Sequence, residues 1–199
     1  MKNTRNNLAV FLDRDGTLNV DSGYPSSLEE IELIPGAIEA VKLLNAHKLP
    51  VIVITNQSGI ARGMFSEEDV QVIHIGMKQM FADAGAVITD FYYCPYHPTK
   101  GQGKYLRVSD CRKPKSGMFF DAAKDYELKL ENCYMVGDKL SDVEAGLRLN
   151  MPGVLVTTGE GKKQALKALN DQGLPQPTIV VADVLAAAEY IVRRSYRGL

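Results

Sequence analysis

The 199-residue sequence has little of what marks secreted, membrane-bound or nucleic-acid-binding proteins. Its 23 Lys and Arg are balanced by 24 Asp and Glu, so no basic excess exists to attract nucleic acid or an anionic membrane. The first apolar run, Leu8 to Leu12, is five residues long and follows the polar start Met1 to Asn7, which predicts neither a signal peptide nor a membrane span. We therefore expect a cytoplasmic protein that binds any anionic ligand through local groups.

Cysteine is also scarce. Cys94, Cys111 and Cys133 are odd in number and widely spaced, which argues against a disulfide framework. Cys133 begins an apolar segment and is expected to be a small core residue. Repeats and low-complexity segments are absent. We expect one domain over residues 1–199 with an irregular loop insertion at 94–116.

Strand and helix signals alternate along the chain. Strands are expected at 8–12, 51–54, 88–93, 133–136, 154–156 and 178–181. Helices are expected at 35–47, 66–83, 117–128 and 186–194, with one more that ends at 149 and another that begins near 161. Ser66 to Asp69 has the pattern of a capping box. This alternation predicts an α/β fold, a three-layer α/β/α sandwich around a mostly parallel sheet. No insertion is long enough to form a large cap domain.

Chemistry is expected where the first strand ends. Asp13 and Asp15 follow the apolar run directly, and Gly16 allows a sharp turn. The carboxyl ends of strands are where open α/β sheets bind ligands. Two carboxylates this close raise each other's pKa, and a divalent cation offsets them most simply. Taken alone, the same residues are equally compatible with an Asp-rich turn.

Three further polar clusters favour a ligand site over a simple turn: Thr55 with Asn56, Arg112 with Lys113, and Asp138 with Asp142. Each alone has a simpler interpretation, respectively a turn, a solvated pair and a helix cap. Because parallel strands end at one edge of a sheet, the clusters that follow strands are expected to converge on one crevice. Their carboxylates, hydroxyl, amide and cations suit a phosphate held against Mg²⁺. His47 and His74 are expected to be surface or packing residues.

In their order, these clusters resemble the four motifs of the haloacid dehalogenase-like (HAD) phosphohydrolases. A closer resemblance is to the D-glycero-D-manno-heptose 1,7-bisphosphate 7-phosphatases, whose pattern the histidinol-phosphate phosphatases largely share. It is carried by residues 11–19, 21–24, 55–58, 111–114 and 137–139. The resemblance implies a HAD-like fold and Mg²⁺-dependent removal of the 7-phosphate from the heptose bisphosphate, in the synthesis of lipopolysaccharide precursors. Histidinol phosphate or another small phosphate ester is the alternative substrate.

The resemblance also implies a role for each motif residue. Asp13 is the nucleophile and Asp15 the general acid and base. Thr55 and Lys113 stabilise the phosphoryl oxygens. Mg²⁺ is bound by Asp13, the Asp15 backbone carbonyl and Asp138, while Asp142 orients Lys113 or Asp138. Substrate contacts are implied for Asp21, Ser22, Gly23, Tyr24, Asn56, Gln57, Ser58, Arg112 and Lys139, with Arg112 suited to a second phosphate.

The loop insertion departs from the family pattern. The heptose phosphatases typically carry a zinc clip of the form Cys-x-His and Cys-x-Cys, whose positions correspond here to Cys94, Tyr96, Ser109 and Cys111. His97 is one residue late, so at most three strong zinc ligands remain, Cys94, His97 and Cys111, where structural zinc prefers four. We expect the loop to be held instead by packing of Tyr92, Tyr93, Tyr96 and Tyr105.

Two other classes of function fit parts of the pattern. A phosphoacceptor signalling module also pairs carboxylates with Thr and Lys around Mg²⁺, but Asp15 argues against it, because an acid or base two residues after the nucleophile shortens the life of an aspartyl phosphate. A non-catalytic scaffold is disfavoured because every motif position holds a competent residue. We expect a monomer that acts on a small phosphorylated sugar, without nucleic acid or membrane partners.

Overall fold

The computed structural model describes residues 7–196, so residues 1–6 of the polar start lie outside it. Six strands form one sheet in the order β3-β2-β1-β4-β5-β6, and every neighbouring pair is parallel. The strands are β1 Val10–Leu12, β2 Val51–Asn56, β3 Asp90–Cys94, β4 Tyr134–Gly137, β5 Gly153–Val156 and β6 Ile179–Val181. The predicted parallel α/β architecture is confirmed.

Residues 7–196 form seven α-helices: α1 Ala37–Ala46, α2 Ser58–Ala61, α3 Glu67–Asp83, α4 Gly117–Tyr126, α5 Leu140–Leu147, α6 Gly161–Asn170 and α7 Val184–Tyr196. The capping box of α3 is confirmed, with Ser66 and Asp69 bonding each other's backbone amides at 2.7 and 3.0 Å. Helix α1 begins two residues later than predicted, because Gly36 before it is left-handed (φ 87°). Helix α2 is new, since four residues are too few to show periodicity.

The helices lie in two layers because residues along a strand alternate between the faces of a sheet. Val10 and Leu12 of β1 pack with the apolar faces of α1, α3 and α7. Phe11 between them packs on the opposite side with α4 and α5. This is the predicted three-layer sandwich. None of the helices between residues 7 and 196 has the length and apolar character needed to cross a membrane.

Of the four tyrosines predicted to hold the loop insertion, Tyr96 and Tyr105 lie within it, while Tyr92 and Tyr93 lie in the preceding strand β3. The hydroxyls of Tyr93 and Tyr105 both donate to Glu67 at the start of α3, at 3.0 and 2.6 Å. The rings of Tyr96 and Tyr105 lie 6.0 Å apart, and the Tyr92 hydroxyl donates to Asp125 of α4. Tyr105 therefore ties the loop to α3, while Tyr92 ties the strand before it to α4.

A disulfide closes the same loop, which corrects the expectation drawn from the odd cysteine count. Cys94 at the end of β3 and Cys111 are bonded across 17 positions, because the loop returns to the strand end with a Cα–Cα distance of 5.4 Å. Cys133 is free and fully buried, in agreement with its predicted place in the core.

Candidate active site

The strand ends bring the predicted acidic residues together. Asp13 directly follows β1, and its amide donates to Val136 of the neighbouring strand β4 at 2.9 Å. Asp138 directly follows β4, and Asp142 lies in the first turn of α5. One carboxylate oxygen from each of Asp13, Asp138 and Asp142 lies within 4.8 Å of the others, and all three residues are buried. The pairing of β1 with β4 is thus what places these residues in one crevice.

Lys113 pairs with two of these three aspartates and is 4% exposed. Its Nζ donates to Asp13 Oδ1 at 2.7 Å and to the Ile54 carbonyl at 2.7 Å, and it lies 2.8 Å from Asp142 Oδ1. Burial alone would lower the pKa of Lys113, but the charges of Asp13 and Asp142 outweigh it and raise that pKa. The ammonium group therefore stays charged between two carboxylates.

Asn56 fixes the backbone of Lys113. Its Oδ1 accepts from the Lys113 amide at 3.0 Å, and its Nδ2 donates to the Lys113 carbonyl at 3.2 Å. The resemblance assigns Asn56 a substrate contact, but both polar atoms of its side chain are bonded to the Lys113 backbone. Asn56 still lines the cleft, but its contacts position Lys113.

The acidic cluster fits a hard divalent cation. Burial, followed by the charge of Asp13, raises the pKa of Asp138 to about 8. Burial, together with Asp142, raises the pKa of Asp13 to about 6 against the opposing charge of Lys113. Within the described residues, the buried Asp138 Oδ1 has no hydrogen-bond partner. Carboxylate oxygens are ligands that Mg²⁺ prefers, and a bound cation would favour the ionised forms that burial disfavours here.

Two glycines leave the space that this carboxylate occupies. A Cβ on Gly16 or on Gly159 would overlap the Asp138 carboxyl group. Gly16 is also left-handed, with φ 86°, which a residue with a Cβ adopts at a cost. These glycines allow the backbone on both sides to approach Asp138 closely.

Asp15 is surrounded by donors. Its Oδ1 accepts from Asn19 Nδ2 at 3.0 Å and its Oδ2 from Gln57 Nε2 at 2.9 Å, while Arg14 donates to both oxygens. Gln57 also donates to the hydroxyl of Thr55 at 2.8 Å. Burial would raise the pKa of Asp15, but the charge of Arg14 and these hydrogen bonds hold it below its ordinary value.

A cleft of about 980 Å³ opens beside Asp15 and Lys113. Of the residues with an implied substrate contact, those lining it are Asp21, Gly23, Tyr24, Asn56, Gln57, Ser58, Arg112 and Lys139. Ser22 is exposed in the same turn and is not among the lining residues. Lys139 lies 3.2 Å from Asp21, and Arg112 donates to the Tyr96 carbonyl at 3.2 Å. The cleft therefore presents cations at its edge.

The candidate zinc residues are not gathered in this way. Cys94 and Cys111 are bonded to each other, and Ser109 Oγ lies 3.1 Å from Cys111 Sγ. His97 Nδ1 accepts from the backbone amides of Thr99 and Lys100 at 3.2 and 2.9 Å. Among residues 7–196, Asp13, Asp138 and Asp142 are the group of His, Cys, Asp or Glu side chains that converges.

Sequence reasoning missed the segment after β5. The Glu160 amide donates to Asp138 Oδ2 at 2.8 Å, the Thr158 hydroxyl donates to the Gly16 carbonyl at 2.7 Å, and all of residues 158–160 line the cleft. The signal was present, because Thr-Thr-Gly after an apolar strand is the same pattern that identified the other clusters. Arg14 was also missed as part of the site, whereas His74 is buried against Phe91, as expected of a packing residue, and in addition contacts Arg14.

Comparison with known proteins gives one consistent result. Residues 10–84 match a family model described as haloacid dehalogenase-like hydrolase, and residues 110–187 match a HAD-hydrolase-like model. The D-glycero-beta-D-manno-heptose-1,7-bisphosphate 7-phosphatase of Pasteurella multocida is 45% identical over 79% of this chain and 88% of its own. The enzyme of the same name from Vibrio cholerae is 39% identical over 93% of this chain and 96% of its own.

Solved structures agree with these sequence relatives. The D,D-heptose 1,7-bisphosphate phosphatase of B. bronchiseptica, crystallised with magnesium and phosphate, superposes with a TM-score of 0.81 at 35% identity. The match covers 94% of this chain and 98% of that one. A HAD-like phosphatase from Mesorhizobium loti superposes with a TM-score of 0.75 at 34% identity, covering 92% of this chain and 86% of that one.

Proposed function

The chain belongs to the haloacid dehalogenase-like hydrolases, within the group of the heptose bisphosphate phosphatases, and on this premise we propose that it removes the 7-phosphate of D-glycero-D-manno-heptose 1,7-bisphosphate. It is a phosphatase that hydrolyses phosphate monoesters. The observation that carries the proposal is the convergence of Asp13, Asp138 and Asp142, with Lys113 paired to Asp13 and Asp142, beside an open cleft.

Asp13 is the proposed nucleophile. Lys113 holds its Oδ1 at 2.7 Å, which fixes the orientation of the carboxylate at the end of β1. A carboxylate oxygen attacks phosphorus, an O–P bond to Asp13 forms, and the P–O bond to the sugar oxygen breaks. The product of this step is an aspartyl phosphate and a sugar alcohol.

Asp15 is the proposed proton carrier for both halves of the reaction. The free site holds Asp15 ionised, so Asp15 must take up a proton before it acts as the acid. It gives that proton to the departing sugar oxygen, and the resulting carboxylate then accepts a proton from the water that attacks the phosphoenzyme. Phosphate leaves and Asp13 is restored. Asp15 lines the cleft, where both transfers take place.

Lys113 and Thr55 complete the site. Lys113 offers positive charge and Thr55 a hydroxyl where charge develops on the phosphoryl oxygens. Asp142, at 2.8 Å from Lys113, orients that ammonium group, and Asn56 fixes its backbone. Asp13, the Asp15 backbone carbonyl and Asp138 are the proposed Mg²⁺ ligands. When bound, the ion supplies the positive charge that lets an anionic nucleophile approach an anionic phosphate.

The edge of the cleft is the proposed place of selection. Arg112 and Lys139 both line the cleft, and a bisphosphate carries a second anionic group that such cations recognise. The remaining residues with proposed substrate contacts are Asp21, Ser22, Gly23, Tyr24, Gln57 and Ser58. Residues 94–116 are proposed as the loop that shapes this edge within a single domain. We place the reaction in the cytoplasm, on the synthesis of lipopolysaccharide precursors, by a monomer.

The substrate is tested by comparing kcat/KM for both anomers of the heptose bisphosphate, other sugar bisphosphates and histidinol phosphate. The proposal predicts the highest value for a heptose 1,7-bisphosphate and release of the 7-phosphate alone. A higher kcat/KM for histidinol phosphate would replace the proposed substrate by the alternative one.

A further inference from the structure

Arg14 stands between the two catalytic aspartates and is fully buried, with 0% of its surface exposed. An arginine is rarely buried without a partner, because its charge must otherwise leave water uncompensated. Asp15 lines the cleft, whereas Arg14 has no exposed surface with which to touch a substrate. Arg14 therefore acts on the substrate only through a neighbouring side chain.

That neighbour is Asp15, to which Arg14 donates hydrogen bonds from two nitrogens. Nε and Nη2 lie 3.0 and 2.8 Å from Asp15 Oδ1, and Nη2 also lies 2.9 Å from Oδ2. Asn19 donates to Oδ1 and Gln57 to Oδ2 from other directions. Because both oxygens have fixed donors, rotation of the carboxylate is restricted.

The other end of the guanidinium contacts His74 on helix α3. Arg14 Nη1 lies 3.3 Å from His74 Nε2. A guanidinium has donors and no acceptor, so Nε2 must accept and the ring proton must be on Nδ1. Burial, followed by the charge of Arg14, lowers the pKa of His74 to about 3, which is consistent with a neutral ring.

His74 is itself held in place. Its ring stacks on Phe91 of β3 with centroids 4.4 Å apart and an interplanar angle of 21°. Tyr93 of the same strand meets the ring edge-on at 5.8 Å. Packing on β3 thus holds the His74 ring in place. The ring restrains one end of the Arg14 guanidinium, and the other end of the guanidinium restrains the Asp15 carboxylate.

We propose that Arg14 is a positioning residue for Asp15 and that the hydrogen bond from Arg14 to His74 is required for this role. The inference rests on the proposed part of Asp15 as proton carrier. Proton transfer requires the carboxyl group to stay within about 0.5 Å of a position at hydrogen-bond distance from the leaving oxygen, so a loosened Asp15 transfers its proton more slowly. If the Arg14–Asp15 ion pair served stability alone, its loss would lower kcat/KM for every substrate by the same factor.

Three variants separate the parts of this chain of contacts. His74→Phe keeps the stacking on Phe91 and removes the acceptor. His74→Gln keeps an acceptor at the reach of Nε2. Arg14→Lys keeps the charge and removes the fork that binds both oxygens of Asp15. Met77→Leu, one turn along α3 and fully buried, is the control for disturbed packing.

The readout is the dependence of kcat/KM on the leaving group. A sugar oxygen needs a proton as it departs, whereas p-nitrophenolate departs without one. We expect His74→Phe and Arg14→Lys to lower kcat/KM for the sugar phosphate by about 10- to 100-fold and for p-nitrophenyl phosphate by less than about threefold. His74→Gln and Met77→Leu should stay close to the wild type with both compounds.

Asp15→Asn separates failure of the inference from failure of the proposed function. If Asp15→Asn lowers kcat/KM equally with both leaving groups, Asp15 is not the acid and the proposed mechanism fails. If Asp15→Asn discriminates but folded His74→Phe either resembles the wild type or loses both activities equally, the positioning role is refuted. Should Arg14→Lys fail to fold, the comparison of His74→Phe with His74→Gln decides alone. Any alkyl phosphate that the enzyme hydrolyses can replace the heptose bisphosphate here.

Discussion

Lys113 Nζ lies 2.7 Å from Asp13 Oδ1, although 100 positions separate the two residues in the chain. The contact is buried, with side chains 2% and 7% exposed, and Asp142 lies on the other side of the ammonium group. One cation thus balances two carboxylates where the β1 strand ends.

Lys113→Met should lower both kcat and the free energy of unfolding. Loss of the cation leaves two buried carboxylates unpaired, and breaking a buried pair costs about 3–5 kcal/mol. We expect that loss in the free energy of unfolding measured with urea at neutral pH without Mg²⁺, and a fall in kcat of about 10²- to 10³-fold.

Lys115→Met is the matched control. Lys115 pairs with Asp110 at 2.9 Å, but their side chains are 41% and 90% exposed. Such a surface pair contributes about 0–1 kcal/mol, so this variant should resemble the wild type. Equal losses of unfolding free energy and of kcat in Lys113→Met and Lys115→Met would contradict the role assigned to the buried Lys113.

Binding of Mg²⁺ should release protons. At pH 7 the raised pKa of Asp138, about 8, leaves that carboxyl group largely protonated without metal, and a metal ligand must be ionised. Calorimetry in two buffers of different ionisation enthalpy should show release of about one proton per Mg²⁺ at pH 7 and almost none at pH 9.5. Heats at pH 7 that do not depend on the buffer would be inconsistent with this site.

The same carboxylates should make the effect of Mg²⁺ on stability grow with pH. Asp13 and Asp138 have folded-state pKa values above 3.8, so the stability they contribute is present below pH 4 and is lost as the pH rises to 8. Mg²⁺ offsets this loss. The rise in Tm on adding saturating Mg²⁺ should therefore be larger at pH 8 than at pH 5.

His74 should make the protein acid-sensitive. Its pKa falls from 6.5 to about 3 on folding, so below pH 6.5 the unfolded chain binds a proton that the folded chain does not. Stability is therefore complete above pH 6.5 and falls by about 1.4 kcal/mol per pH unit as the pH drops towards 3. The free energy of unfolding of His74→Gln should lack this component of the slope. His97→Gln, in a partly exposed loop position, is the control and should keep it.

The loop should be ordered without zinc. Tyr96 and Ser109 stand at two of the four family ligand positions, and Cys94 and Cys111 are bonded to each other. Elemental analysis of protein purified without added zinc should therefore find it far below one equivalent. One equivalent of zinc per chain would show that His97 and the two cysteines do bind the metal.

Much of the architecture could be predicted because short apolar segments alternated with amphipathic ones. Asp13 and Asp138 could be placed together because each directly follows a strand, and parallel strands end at one edge. The start of α1 could not be placed, since Pro35 favours a helix start while the left-handed Gly36 delays it. Helix α2 was too short to produce a periodic signal.

Other parts of the site depend on burial, which one sequence does not reveal. Arg14 between two aspartates resembles a solvated charge, and only the approach of α3 places His74 against it. The Cys94–Cys111 bond depends on the return of a long loop to the end of β3, which composition does not specify. Glu160 contributes a backbone amide, which no side-chain pattern can indicate.

The most direct test of the mechanism is to trap the phosphorylated residue. Asp15→Asn is mixed with Mg²⁺ and p-nitrophenyl phosphate, whose leaving group departs without a proton, then quenched, reduced with borohydride and mapped by peptide mass spectrometry. Reduction converts an aspartyl phosphate to homoserine, so the account predicts homoserine at position 13 and none in Asp13→Asn. Homoserine at another position, or phosphate release by Asp13→Asn at the wild-type rate, would contradict it.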